Sequence, residues 1–155
     1  MLRMTIASTF ALSSIFAVAV AQQPTKETSA QRHDRVMAAV QAICPVSGKK
    51  LGEHGTPVKT TFGDEKEVMF VCCEACVKQQ PNPEHVKTIH ANMIQAQGKC
   101  FVMGKPVAAG ATSTIVAGQR FFLCCPPCAS KIAADPTSFI SKLDDAYEAS
   151  LKKRG

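Results

Sequence analysis

The feature that most constrains this chain is a cysteine pattern that occurs twice. Residues 44–51 read CPVSGKKL and residues 100–107 read CFVMGKPV, with half of the positions identical, including the cysteine and the glycine. Residues 68–76 read VMFVCCEAC and align with residues 120–128, which read RFFLCCPPC. The Cys-Cys-x-x-Cys core therefore follows the first cysteine by 28 residues in one unit and by 24 in the other. Such self-similarity indicates an internal duplication, and it predicts two related small modules.

Each unit predicts the same order of elements: a tight turn, a β-hairpin, a short helix and a second helix. Gly48 and Gly104 suit the tight turns, because glycine readily adopts the positive φ that such turns need. Hairpin turns are expected at Gly63-Asp64 and Ala117-Gly118. The strands are predicted at Val58–Phe62, Glu67–Val71, Thr112–Val116 and Gln119–Leu123.

Helical patterns follow each cysteine core and also lie between and before the two units. Short helices are predicted over 73–80 and 127–134, and Asn82-Pro83 and Asp135-Pro136 have the N-cap and first-turn residues of the helices that follow. Residues 30–43 and 84–97 carry apolar residues at helical spacing, which is typical of core packing. Those stripes are formed by Val36, Ala39, Val40 and Ile43, and by Val86, Ile89, Met93 and Ile94. The polar segment 22–29 is expected to be disordered.

The first 21 residues have the pattern of a secretory signal peptide. Arg3 precedes an uncharged run that ends in Ala19-Val20-Ala21, a small-x-small cleavage sequence. An uncleaved membrane anchor is the alternative, because the run approaches the length of a single span. We therefore expect a periplasmic or secreted protein with no membrane span after cleavage. The predicted organisation is a signal peptide at 1–21, a polar leader and helix at 22–43, and metal-binding modules at 44–97 and 98–155.

Charge and composition argue against several classes of function. The net charge is +6, but the basic residues are scattered and aromatic residues make up only 6% of the chain, so no nucleic-acid-binding surface is indicated. The sequence offers no Ser/His/Asp arrangement, phosphate-binding loop or pair of carboxylates that predicts catalysis. The chain is expected not to be an enzyme.

The cysteines are the candidate functional residues. A unit of about 50 residues buries too little apolar surface to fold alone, and small modules usually recruit disulfides or a metal. Here a cysteine in a glycine-containing turn combines with a pair of cysteines at a helix start, where the helix dipole favours thiolate. Metal binding supplies about 10–16 kcal/mol to such a fold. All eight cysteines are candidate ligands of about two Zn²⁺ or Cu⁺ ions per chain: Cys44, Cys72, Cys73, Cys76, Cys100, Cys124, Cys125 and Cys128.

The Cys-Pro-Val-Ser-Gly turn, the hairpin, the Phe-Val-Cys-Cys-x-x-Cys segment and the downstream Asn-Pro resemble the YHS/TRASH heavy-metal-binding domains. They are more distantly similar to the zinc treble clefs of large-subunit ribosomal proteins. The resemblance covers residues 44–94 and 100–145, and it implies an α+β protein of two tandem ββα, treble-clef-like modules preceded by a helix. It also implies metal sequestration, trafficking or sensing, with another metal-trafficking protein as a partner. The ligands it implies are Cys44, Cys72 and Cys76 in the first unit and Cys100, Cys124 and Cys128 in the second, with Cys73 and Cys125 as extra thiols.

The chain departs from these families at the fourth ligand. The Tyr-His-Ser triplet is absent, and the second cysteine of the treble-clef turn is replaced by Ser47 and by Met103. The Met103 thioether is a candidate Cu(I) ligand, because thioether and thiolate together favour that ion. The alternative is that Met103 packs against the hairpin as an apolar filler.

Two other interpretations of the cysteines stay open. In the first, disulfides staple an interaction module without metal, with Cys44 joined to Cys72 or Cys76, Cys100 joined to Cys124 or Cys128, and Cys73 paired with Cys125. In the second, the two C-x-x-C motifs belong to a thiol-disulfide oxidoreductase, although no βαβ pattern surrounds them. Among the histidines, His54 alone is placed to approach a metal, whereas His33 and His85 are expected to be solvated.

Overall fold

The computed structural model describes residues 26–154, so the predicted signal peptide at 1–21 lies outside the described residues. The protein is α+β, with two small antiparallel sheets among five helices in the described part of the chain. Over residues 26–154, no helix combines the length and the apolar character that crossing a membrane requires. The elements in chain order are α1 (Ser29–Gln41), β1 (Val58–Phe62), β2 (Glu67–Val71), α2 (Glu74–Val77), α3 (Pro83–Gln97), β3 (Thr112–Val116), β4 (Gln119–Leu123), α4 (Cys128–Ala134) and α5 (Pro136–Arg154).

The two hairpins confirm the four predicted strands at both ends. Strand β1 pairs antiparallel with β2, and β3 pairs antiparallel with β4. In the second hairpin both turn residues have positive φ, 51° at Ala117 and 78° at Gly118, which is the conformation of a two-residue turn that matches strand twist. This turn packs on the first hairpin, where Val68 donates its N–H to the Gly118 carbonyl over 2.8 Å. A Cβ at Gly118 would lie 2.6 Å from a methyl of Val68, so only glycine fits there.

The helix boundaries follow their capping residues. The Asn82 side chain caps α3 at the Glu84 N–H, and the Asp135 carboxylate accepts from the Ser138 N–H in the first turn of α5, as predicted. Helix α1 begins earlier than expected, because Thr28 forms a capping box with Gln31. The expected disorder of 22–29 is therefore wrong for Thr28 and Ser29.

Two further helix predictions differ from the structure. The helix predicted over 73–80 is only one turn long, Glu74–Val77, and Pro81 follows it closely, where a helix cannot continue. On α1, Val36 and Val40 are buried as predicted, but Ala39 is exposed and Met37 is buried in its place. The buried face of α1 includes Met37 because this helix packs against both α3 and α5, which makes its buried face wider than a single stripe.

The three long helices and the second hairpin share one hydrophobic core. That core contains Val36 and Val40 from α1, Ile89 and Met93 from α3, Phe121 from β4, and Leu143 and Tyr147 from α5. A second, smaller cluster lies beneath the first hairpin and consists of Cys44, Val71, Cys72 and Cys76. Helices from both repeats pack together, and Cys100 and Cys128 of the second unit belong to this main core.

A buried glutamine at the end of α1 and another at the end of α3 each join the helix to the hairpin that follows it in the chain. Gln41 and Gln97 are the last residues of α1 and α3, and each is 3% exposed. The Gln41 amide donates to the Phe70 carbonyl over 2.6 Å and accepts from the Phe70 N–H over 2.8 Å. Gln97 makes the same pair of bonds to Phe122, at 2.7 and 2.9 Å. Each glutamine thus holds a strand residue two positions before the Cys-Cys-x-x-Cys core. Because the same contact occurs in both units, the structural repeat includes the end of the helix that precedes each unit.

We expect replacement of Gln97 by methionine to lower the free energy of unfolding by about 1–3 kcal/mol, because the buried N–H and carbonyl of Phe122 lose their partner while side-chain volume is kept. Chemical denaturation followed by circular dichroism measures the loss. The matched control is Gln80→Met, at an exposed glutamine. Equal stabilities of the two variants would show that the buried amide does not hold the hairpin.

Candidate metal centre

The structure gathers six cysteines into two sets of three. Site one consists of Cys44, Cys72 and Cys76, and site two consists of Cys100, Cys124 and Cys128. Within each site the three sulfurs all lie within 4.8 Å of one another. The prediction that the first cysteine of each unit meets the first and last cysteines of the Cys-Cys-x-x-Cys core agrees with this arrangement.

A tight turn presents the first cysteine of each site. We call residues 44–49 the first knuckle and residues 100–105 the second knuckle. The Cys44 N–H donates to the Lys49 carbonyl over 2.8 Å, and the Cys44 carbonyl accepts from Gly48 over 2.9 Å. The second knuckle repeats both bonds, with Lys105 and Gly104 as the partners of Cys100. Both bonds close the turn around the cysteine, and Cys44 and Cys100 are 0% exposed.

The glycine of the first knuckle is required by its backbone and by its neighbour. Gly48 has φ +71°, and a Cβ there would lie 2.7 Å from Nε2 of His85. The His85 ring therefore packs on the knuckle, and its Nδ1 is buried without a hydrogen-bond partner among the described residues. The expectation that His85 is solvated is wrong, because α3 brings its first turn against the knuckle: the Asn82 N–H donates to the Pro45 carbonyl over 2.8 Å.

In each site, two of the three sulfurs are separated by the distance that one bound ion requires. With a Zn–S bond of about 2.3 Å, two sulfurs on the same ion lie about 3.8–4.0 Å apart in tetrahedral or trigonal geometry. The Sγ atoms of Cys72 and Cys76 are 3.8 Å apart, and those of Cys124 and Cys128 are 4.0 Å apart. Each site can therefore hold an ion with little movement of the strand end and the helix that carry these two ligands.

The remaining two cysteines lie beside the sites rather than within the two triads. The Sγ of Cys73 is 3.9 Å from that of Cys72 and 3.5 Å from that of Cys76. The Sγ of Cys125 is 3.9 Å from that of Cys124 and 3.0 Å from that of Cys128. Cys73 is exposed, whereas the three thiols of site one are buried. In the second site Cys125 and Cys124 are both half-buried, and Cys100 and Cys128 are buried.

The first cysteine of each site is prepared to bind as a thiolate. Burial raises the pKa of Cys44, but hydrogen bonds from the Ser47 hydroxyl and from backbone N–H groups of the knuckle outweigh it and lower the pKa to about 6. Burial also opposes ionisation of Cys100, and backbone N–H groups, Met103 among them, lower its pKa to about 7. Burial and the neighbouring thiols raise the pKa of Cys76 to about 12. One thiolate per site therefore forms near neutral pH, and the other ligands lose their protons as an ion binds.

Ser47 and Met103 stand at the same position of the two knuckles, three residues after the first cysteine. The Ser47 Oγ lies 3.3 Å from the Cys72 Sγ, so this position is in contact with the thiols of site one. Met103 is 54% exposed. The Met103 side chain is therefore not buried in the core, and the choice between a ligand and an apolar filler at the hairpin stays open.

The histidines contribute no ligand to either triad. His54 is exposed and lies outside both triads, in contrast to its predicted approach to a metal. His33 was expected to be solvated, but its Nδ1 is 2.6 Å from a carboxylate oxygen of Asp144, because α1 packs along α5. His90 pairs with Glu67, with 3.1 Å between Nε2 and the carboxylate. The His33 and His90 rings thus form hydrogen bonds to carboxylates on other elements.

The thiol state of the cysteines bears on the disulfide interpretation, and the sheet topology bears on the oxidoreductase interpretation. All eight cysteines are free thiols in the structure, which is the state that metal binding needs. The strands of residues 26–154 form two antiparallel pairs, so a parallel βαβ unit does not surround either C-x-x-C motif in this part of the chain. The thiol-disulfide oxidoreductase interpretation therefore lacks its usual fold here.

Comparisons of the chain with protein families, with curated proteins and with solved structures find no match. The geometry of the chain's own residues is therefore the basis for a functional conclusion.

Proposed function

We propose that this protein binds two soft metal ions, Zn²⁺ or Cu⁺, one in each cysteine triad, and acts in metal sequestration, trafficking or sensing. The observation that carries the proposal is the repeated sulfur geometry: two triads with every sulfur within 4.8 Å of its partners. Duplication of the whole arrangement argues for a selected site, since a chance cluster of thiols has no reason to recur with its turn, strand end and helix.

The ligand chemistry supports soft ions over hard ones. Thiolate sulfur selects Cu(I) and Zn²⁺, whereas carboxylate and carbonyl oxygens suit Mg²⁺ and Ca²⁺. Three thiolates satisfy Cu(I), which accepts a low coordination number. Zn²⁺ prefers four ligands, and Cys73 or Cys125 is near enough to two of the three thiols to approach the same ion.

The setting proposed for this activity is outside the cytoplasm, on the strength of the signal-peptide pattern at residues 1–21. The resemblance to YHS/TRASH domains and to treble clefs supports the same ligands and a partner that also handles metal. An exported protein meets oxidising conditions, and a bound ion protects thiolates from forming disulfides. Binding therefore accounts for unpaired cysteines in such a setting, and we propose no catalytic activity.

Competition with chromophoric chelators tests the proposal. The reduced protein, titrated anaerobically against a Cu(I) chelator and separately against a Zn²⁺ chelator, is expected to withdraw two equivalents of ion. Withdrawal of neither ion would refute the proposal. A protein that also shows no titratable thiols under denaturation would instead favour the disulfide-stapled module.

The thioether of Met103 predicts a difference between the two sites. By the symmetry of the repeat, Met103 occupies the position at which Ser47 contacts the Cys72 thiol. Met103→Leu keeps the volume and removes the donor, so the Cu(I) affinity of site two is expected to fall about tenfold, while affinity for Zn²⁺ and stability stay unchanged. The measurement is Cu(I) competition in a background in which Cys72→Ser disables site one.

The reciprocal variant is Ser47→Met, which gives site one the same donor and is expected to raise its Cu(I) affinity. It is measured in a background in which Cys124→Ser disables site two. Unchanged Cu(I) affinities in both variants would show that the exposed thioether is not a ligand.

A further inference from the structure

We infer that Cys73 and Cys125 are exchange thiols, through which each buried site takes its ion from a soft-metal carrier that presents thiolates. The inference rests on the proposed function, because it concerns how the same two triads are loaded. It assigns separate roles to the two adjacent cysteines of each Cys-Cys-x-x-Cys core.

Each site consists of two sulfur triangles that share an edge. In site one the inner triangle is Cys44, Cys72 and Cys76. The outer triangle is Cys73, Cys72 and Cys76, with sulfur separations between 3.5 and 3.9 Å. An ion bound to the shared edge of Cys72 and Cys76 can therefore complete three-fold sulfur coordination on either side of that edge.

The two triangles differ in their access to solvent. Cys44 is 0% exposed, so a thiolate on another molecule cannot reach it. Cys73 is exposed at the N-cap of α2, where an incoming carrier meets its sulfur first. The geometry thus provides an outer position for entry and an inner position for storage.

The second module repeats this arrangement on a different local sequence. Cys125 lies 3.0 Å from Cys128 and 3.9 Å from Cys124, which are themselves 4.0 Å apart, while Cys100 is 0% exposed. The two residues inside the C-x-x-C motif are Glu74-Ala75 in the first module and Pro126-Pro127 in the second. Since the loop changes and the paired triangles persist, the outer thiol belongs to the function of the site.

The charge of the knuckles fits an anionic carrier complex. Lys49 and Lys105 occupy the same position in the two knuckles, and each accepts a hydrogen bond at its carbonyl from the first cysteine of its site. Both lysines are exposed. A Cu(I) ion held by two thiolates has a net negative charge, so a lysine beside each site attracts it.

The exchange needs no oxidant or reductant. In the first step a bond between Cu(I) and a carrier thiolate breaks as a bond to the Cys73 sulfur forms, and the Cys73 proton passes to the released carrier thiolate. Cys72 and Cys76 then complete the outer triangle as the bond between Cu(I) and the second carrier thiolate breaks. One of the two cysteine protons passes to that released thiolate, and the other passes to water. In the last step the bond to Cys73 breaks as the bond to Cys44 forms, and Cys73 is reprotonated. Copper remains Cu(I) throughout.

Loading kinetics test the inference. The reduced protein and the double variant Cys73→Ser/Cys125→Ser are mixed in a stopped-flow instrument with Cu(I)–glutathione. We expect the double variant to load about tenfold more slowly or worse, while it still binds two ions with Cu(I) affinity within about threefold of the parent. The matched control is Ala75→Ser, which adds a hydroxyl at the neighbouring exposed position and keeps both exchange thiols. Circular dichroism verifies that each variant is folded.

Three results would overturn the inference. Equal loading rates of the double variant and the parent would remove the exchange role. A loss of affinity as large as the loss of rate would make Cys73 and Cys125 ordinary ligands. Failure of the parent itself to take up Cu(I) would refute the proposed function for copper, and the exchange role with it.

Discussion

Replacement of Cys72 by serine is expected to abolish tight metal binding at site one. Cys72 directly follows β2 and belongs to both sulfur triangles, so its loss leaves neither triangle complete. One of three thiolates accounts for about 3–5 kcal/mol of the roughly 10–16 kcal/mol that a structural metal supplies. The expected loss of affinity is therefore about 100-fold or more, measured by chelator competition in a background in which Cys124→Ser disables site two.

Cys73→Ser is the matched control for that experiment, because it removes the adjacent thiol and leaves the inner triangle intact. Its equilibrium affinity is expected to change far less than that of Cys72→Ser. Equal losses in the two variants, or a larger loss for Cys73→Ser, would show that the wrong member of the adjacent pair has been assigned to the buried triad.

Removal of Arg120 is expected to cause the largest loss of stability of any single substitution outside the cysteines that we consider. Glu67 is 5% exposed and accepts two hydrogen bonds from the Arg120 guanidinium, at 2.9 and 2.7 Å. This ion pair joins β2 of the first module to β4 of the second. Arg120→Met leaves the carboxylate buried with His90 as its remaining partner, and we expect unfolding free energy to fall by about 3–5 kcal/mol in chemical denaturation.

The double variant Glu67→Leu/Arg120→Met distinguishes two contributions to the unfolding free energy: the cost of leaving a buried charge unpaired and the net stabilisation from the ion pair. Replacing both partners with apolar residues leaves no unpaired charge, so much of the lost stability is expected to return. A double variant as unstable as Arg120→Met would show that the damage comes from packing around Arg120. Such a result would contradict the electrostatic explanation.

The same pair predicts how stability depends on pH. Burial raises the pKa of Glu67, but hydrogen bonds from His90 and Arg120 outweigh it and hold the pKa below its usual range. A carboxyl with a lowered folded-state pKa contributes stability above its unfolded pKa of about 4.3, and that contribution is lost as pH falls through the folded value. The stability difference between the parent and Arg120→Met is therefore expected to be largest near neutral pH and to narrow below about pH 4.

The parts of the fold that local chemistry determines were predictable from the sequence. The hairpins agree at every strand boundary, because short β-branched and aromatic runs are separated there by turn residues such as Ala117-Gly118. The caps at Asn82 and Asp135 agree for the same reason, since a capping side chain acts within three residues of its own position. The two cysteine triads agree with the ligands that the resemblance to heavy-metal-binding domains implies, and the repeat places the turn, strand end and helix in the same order in both modules.

The features of the fold that the sequence does not predict depend on contacts between elements that are distant in the chain. Gln41 and Gln97 look like ordinary polar residues at helix ends, and their burial appears only once a hairpin packs over them. One feature of the repeat indicates a shared role for these glutamines, because both stand three residues before the first cysteine of their unit. The pairs of His33 with Asp144 and of Glu67 with Arg120 span 111 and 53 residues, and no local pattern predicts them.

Native mass spectrometry of the purified, reduced chain, combined with thiol counting under denaturation, tests the central claim most directly. We expect a species that carries two ions of zinc or copper, each lost with chelator, and eight titratable thiols once the ions are removed. An ion-free protein that refuses added zinc and copper and has no titratable thiols would contradict it, and would show that disulfides rather than metal hold the two modules.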